Sequence, residues 1–167
     1  MIGGSVARRP GFAPIFWLLW AAAFVWLLLP ARASALEVPA LKAHVNDNAA
    51  MLSESERAAL EQKLTDYEQK TGRQFALLTV DSLEGDALES FSIRVVEAWK
   101  LGQKGKDSGL LLLAVKNDHK LRIEVGYGLE GSVTDAFSSR VVRNVLVPSL
   151  RAGNVFAGFD GAFTILM

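Results

Sequence analysis

Two hydrophobic patterns run along this chain. Phe12 to Leu29 is apolar almost without interruption. From Leu36 onward, apolar residues recur with periods that switch between about 3.6 and 2 residues, the marks of helices and strands facing a core. Leu36 to Val45 is an extended lead-in containing Pro39, and Asn46-Asp47-Asn48 reads as a polar turn. Ser53-Glu54-Ser55-Glu56 has capping-box spacing, in which Ser53 covers an orphan amide and Glu56 reaches back. The helix it opens shows Leu60, Leu64 and Tyr67 on one face, with Gly72 as its stop. Gln74 to Val80 is a strand with Phe75, Leu77 and Thr79 on one side and Ala76, Leu78 and Val80 on the other. Both sides are mostly apolar, so it belongs inside a covered sheet.

Asp86 stands where a cap for the next helix is expected, and Leu88, Phe91, Val95 and Trp99 form that helix's buried stripe. GQKGKDSG, Gly102 to Gly109, is a polar loop. Leu110 to Val115 is a second central strand. After a turn at Lys116 to Lys120, Leu121, Ile123 and Val125 alternate with Arg122 and Glu124. A short link between two strands makes an antiparallel hairpin. Thr134 caps a helix with Phe137, Val141, Val145 and Leu146 inward, which Pro148 is expected to end. Asn154 opens another with Phe156, Phe159, Phe163 and Leu166, still apolar at Met167, so more chain is expected to follow. Helices alternating with strands predict an α/β sandwich with a mixed sheet.

Arg8 and Arg9 precede the apolar block, and Ala33-Ser34-Ala35 follows it with small residues at the two positions a signal peptidase reads. Residues 1–35 therefore read as a secretory signal peptide cleaved before Leu36, with an uncleaved anchor as the alternative for a block of this length. Residues 36–167 form one domain, exported to the periplasm or the outer face of the cytoplasmic membrane. Arg8, Arg9 and Arg32 leave with the signal, so 15 basic residues face 18 acidic ones and nothing points to nucleic acid. With no cysteine, disulfides, thiolate metal sites and a Cys nucleophile are excluded.

GYGLEG, Gly126 to Gly131, fits the dinucleotide fingerprint G-x-G-x-x-G. The fingerprint also needs a βαβ unit, a helix opening at the third glycine and an acid about 20 residues on. Here the preceding strand lies in a hairpin, the helix opens at Thr134, and Arg151 stands where the acid should be, so no nucleotide cofactor is expected. The glycines instead read as a tight bend with positive φ. Asp107 replaces the Ser or Thr of a P-loop after Gly105-Lys106. His44 and His119 read as surface or turn residues. Asp47, Asp107, Glu130 and Asp135 fall in loops or at a helix start. Such ends can gather in one crevice and suit a hard cation, but Asp also supplies ordinary turns and caps. Spacing leaves both readings open.

The ordered motifs V-x-D before the first helix, W-x-L-G, D-x-G-L-L-L, R-x-E-V-G-Y-G-L-E-G and P-x-L-R-x-G-N resemble those of the TPM domain family, whose members include thylakoid phosphatase and photosystem II repair proteins. The resemblance runs from about Leu36 to the end. It implies a compact three-layer α/β/α sandwich, often followed by a transmembrane segment that tethers the domain. It puts the family's polar positions on Asp47, Asp107, Arg122, Glu130 and Asp135, and implies Ca²⁺ or Mg²⁺ binding. Ser108 stands where Asn is common. Two functions follow: a cation-binding module assisting assembly or repair of envelope or membrane proteins, or a metal-dependent phosphatase with Arg122 as phosphate clamp.

Overall fold

In the computed structural model, which describes residues 35–102 and 105–167, the capping box forms as its spacing requires. Ser53 Oγ accepts from the Glu56 amide, and Glu56 accepts from the Ser53 amide at 2.8 Å. The resulting helix α1, Glu54–Thr71, buries Leu60 and Leu64 and stops at Gly72, whose φ of 69° is left-handed. The proposed signal segment and its apolar block lie outside the described residues.

A four-stranded sheet in the order β1-β2-β3-β4 forms the middle layer: β1 Val45–Asp47, β2 Gln74–Val80, β3 Gly109–Val115 and β4 Lys120–Val125. The first three run parallel, and β4 is antiparallel to β3, as the hairpin pattern predicts. Alternation divides the two central strands between two cores. Phe75, Leu77, Leu110, Leu112 and Ala114 face α1 and the C-terminal helices. Ala76, Leu78, Leu111, Leu113 and Val115 face α2, Leu88–Trp99, through Phe91, Val95 and Trp99. Complete burial of each Leu or Phe contributes roughly 1.5–3 kcal/mol, so both faces hold the sheet. The two parallel crossovers step the same way across the sheet yet place α1 and α2 on opposite faces. They therefore have opposite hands, and one departs from the right-handed rule.

Four local expectations change. Asn46 and Asp47 belong to β1 rather than to a turn, because pairing with Leu77–Thr79 overrides their turn preference. Ala87, not Asp86, is the N-cap of α2. Asp86 instead accepts from Arg94, Leu36 N and Ala87 N, so it pins the lead-in to the helix. Pro148 does not end its helix: α3 (Asp135–Val141) passes through a π-turn, Val142–Leu146, into α4 (Val147–Arg151), where Pro148 sits in the first turn. A proline near a new helix start has no amide to lose, and the widened turn ahead of it accommodates the ring. The glycines of GYGLEG do not adopt positive φ; they serve another purpose, described below. Helix α5, Val155–Leu166, completes the layer against α1.

Candidate functional site

Gly126 and Gly128 extend the β3–β4 ladder beyond β4. Gly126 N donates to Gly109 O at 2.8 Å and Gly128 N to Asp107 O at 3.1 Å. A Cβ on Gly126 would stand 2.2 Å from Asp107 O, and one on Gly128 1.9 Å from Lys106 O. These glycines admit the neighbouring backbone, whereas Gly131 lies in open space. A single 3-10 turn, Tyr127–Leu129, follows, burying Leu129 and leaving Tyr127 80% exposed. The α3 helix then starts behind its Thr134 cap, four residues past the last glycine, so no helix end opens at the glycines.

The four predicted acids do not gather into one group among the described residues. Asp47 lies opposite Thr79, and Gln74, at the other end of β2, lies opposite Gly109. At about 3.3 Å per residue, roughly 17 Å of strand stands between Asp47 and the Asp107 end. Both Asp47 carboxylate oxygens are used: they accept from Met51 N, Leu52 N and the Thr79 hydroxyl at 3.0 Å or less. That is a turn-fixing role. Asp107, Glu130 and Asp135 are exposed, and their carboxylates accept no hydrogen bond among the described residues. No three His, Asp or Glu side chains there are grouped to hold a metal.

Arg122 lines a different feature, a cleft of about 470 Å³ along β4, walled by Leu121–Glu124 and by Asp135, Ser138, Ser139, Val142 and Arg143 of α3 and the π-turn. Asp135 is thus the predicted acid that joins Arg122. The guanidinium is tied at one end: its Nε donates to Glu124 at 2.7 Å, its Nη1 lies 3.9 Å from Glu89, and Glu124 also accepts from Ser92 of α2 at 2.9 Å. The Gly126–Gly109 bond sets the hydrogen-bonding parity of the hairpin. Residues 120, 122 and 124 exchange bonds with β3, while the N–H and C=O groups of Leu121, Ile123 and Val125 point to the open edge. Ser138 is 5% exposed, and its hydroxyl has no hydrogen-bond partner among the described residues. No pattern in the sequence distinguishes this serine from its neighbours, although a π-turn beside it is a common mark of functional sites.

His44 is neither a surface nor a turn residue. Its ring nitrogens meet Glu61 at 2.9 Å and Glu68 at 2.6 Å, tying the β1 approach to α1. Burial opposes charging the ring, but the bonds with Glu68 and Glu61 outweigh it and raise the His44 pKa above its ordinary 6.5. Glu61 moves the other way. Burial opposes its charge, yet bonds from the His44 ring and from the His44 and Val45 amides hold its pKa below 4.5.

Against known proteins, residues 45–167 match the TPM domain. This chain belongs to the TPM domain family. Its fold resembles that of the N-terminal domain of a protein from P. gingivalis, at 30% identity and a TM-score of 0.67, covering 73% of this chain and 78% of that one. It also resembles the N-terminal domain of the cg2496 protein from Corynebacterium glutamicum, at 15% identity and a TM-score of 0.56, covering 80% and 82% of the two chains. The BA42 protein of Bizionia argentinensis is similar at 18% identity and a TM-score of 0.59, covering 69% and 78%. The last two likenesses concern the fold alone. No curated protein matches. Among the described residues of this TPM domain, no helix is long and apolar enough to cross a membrane.

Proposed function

We propose that this chain is an exported TPM domain acting as a non-catalytic binding module of the cell envelope. It assists assembly or repair of membrane proteins by taking an extended segment of a partner along β4. The observation that carries this reading is the cleft itself, an open strand edge facing a buried serine hydroxyl that has no partner among the described residues. Unpaired edges pair with added strands, and a buried hydroxyl gains most from a partner that satisfies it. In this reading Ca²⁺ or Mg²⁺ binds as a hydrated ion to one or two of Asp107, Glu130 and Asp135, since no three acids group together among the described residues. Asp47 is left out because its oxygens are occupied. The phosphatase alternative needs Arg122 to clamp phosphate, and the carboxylates of Glu124 and Glu89 beside the guanidinium disfavour a further anion there.

A photo-crosslinking residue at Ser139, which is exposed and lines the cleft, tests the module in the native envelope; Glu97, exposed on α2, is the control position. Adducts with membrane proteins are expected from Ser139 and not from Glu97. Equal yields from both positions would refute the cleft. Turnover of an aryl phosphate that Arg122→Ala abolishes would replace the reading with the phosphatase.

A further inference from the structure

The lead-in is part of the α2 layer from its first anchored residue. Leu36, Val38 and Leu41 pack against the core beneath α2, and Trp99 Nε1 donates to Pro39 O at 2.7 Å. Leu36 itself is held at both backbone ends. Its N–H donates to Asp86 Oδ2 at 3.2 Å, and Arg94 Nη2 donates to Leu36 O at 3.2 Å while also pairing with Asp86. Ala35, one residue earlier, is exposed. The residue that the Ala-x-Ala signal would make the new chain start is therefore the one whose nitrogen already rests on a mostly buried carboxylate.

We infer that Asp86 and Arg94 form a docking site for the α-amino group that processing releases at Leu36. The inference rests on the exported reading above. Hydrolysis adds water across the Ala35–Leu36 bond. The C–N bond breaks, Ala35 departs as a carboxylate, and the Leu36 nitrogen takes up the protons and is an ammonium at neutral pH. An amide that donated one hydrogen bond to Asp86 becomes a cation beside it. Arg94 carries a like charge and shares the same oxygen, so the new ammonium is attracted by Asp86 and opposed by Arg94. The consequence to measure is how accessible the chain end is, rather than a melting temperature.

Three chains test this: one whose first residue is Leu36, one beginning at Ala35, and the Leu36 chain with Asp86→Asn. Each is confirmed as folded by its melting curve, then exposed to an aminopeptidase and followed by intact mass. The Leu36 chain is expected to be trimmed about tenfold more slowly than Asp86→Asn, since cleavage follows the population of the undocked end. The Ala35 chain should lose Ala35 and halt at Leu36. Trimming through Leu36 at the same rate in all three chains overturns the docking. The mass of the full chain secreted by a bacterial host tests export separately. A product beginning elsewhere counts against the processing and leaves the docking geometry intact.

Discussion

Replacing Ser138 with alanine should stabilise the fold while weakening the site. Ser138 lies on α3, 5% exposed, its amide donating to Thr134 O at 2.9 Å and its hydroxyl to nothing among the described residues. Leaving such a hydroxyl buried and unpaired costs about 1–3 kcal/mol, and Ala is the better helix former by a few tenths of a kcal/mol. Against this stands one oxygen's worth of lost packing. Beside an open cleft, that loss is smaller than in a sealed core. The expected net is about 1 kcal/mol of stabilisation, or a rise of about 3–5 °C for a domain of this size. Urea denaturation of residues 36–167 gives the free energy directly, and the crosslinking yield at Ser139 should fall in the same variant. A loss of 1 kcal/mol or more would refute the reasoning, because it would mean that the hydroxyl already holds an internal partner. Stabilisation with unchanged crosslinking would refute its role in binding.

Gly126→Ala and Gly128→Ala should each destabilise by roughly 1–3 kcal/mol in urea melts, because their added carbons meet the Lys106–Asp107 backbone. Gly131→Ala, in open space, should leave the midpoint unchanged, the reverse of what a fingerprint's third glycine, packed between helix and strand, would show. Asp47→Ala removes the acceptor of three hydrogen bonds and should cost about 2–3 kcal/mol without altering Ca²⁺ affinity by calorimetric titration; a lost Ca²⁺ isotherm would return Asp47 to the ion site. The His44 pKa is raised, so its stabilisation is full below its ordinary 6.5 and fades as pH rises through the folded value. The Glu61 pKa is lowered, so its share is present above 4.5 and fades on acidification. The stability of His44→Gln relative to the parent should accordingly be poorest between those limits, and a pH-independent difference would sink the ion-pair account.

Much of the fold was legible because its residues repeat a local rule. The capping box at Ser53, the stop at Gly72 and the two-faced strands Gln74–Val80 and Leu110–Val115 appear where periodicity puts them, the second strand starting one residue earlier, at Gly109. What was not legible depends on contacts distant in sequence. β1 is three residues long and rich in turn formers, and it is a strand through its register with Leu77–Thr79. Asp86 has the spacing of a cap but is drawn away by Leu36 and Arg94, 50 and 8 residues from it. The GYGLEG glycines looked like φ devices, and Gly126 and Gly128 are instead clearances for Lys106 and Asp107. The site divides the same way. Sequence marks Arg122 and Asp135 but not their shared cleft, and no local pattern marks the Ser138 hydroxyl, which has no hydrogen-bond partner among the described residues.

The cleft also bears on how this sheet manages its edges. β1 exposes too short an edge to template another strand, whereas β4 offers six residues. Charged side chains usually guard such an edge, since a partner strand would have to bury them unpaired. Lys120, Arg122 and Glu124 look like that guard in sequence, yet Arg122 and Glu124 neutralise each other at 2.7 Å and Ser92 satisfies Glu124 from α2. A neutralised pair repels an arriving backbone far less than a lone charge. Across the cleft the π-turn presents Arg143, which has no ion-pair partner among the described residues, beside Ser138 and Ser139. On the proposed reading, pairing Arg122 with Glu124 while Arg143 and Ser138 keep polar groups unpaired among the described residues suits a partner that brings backbone to one side and side-chain acceptors to the other.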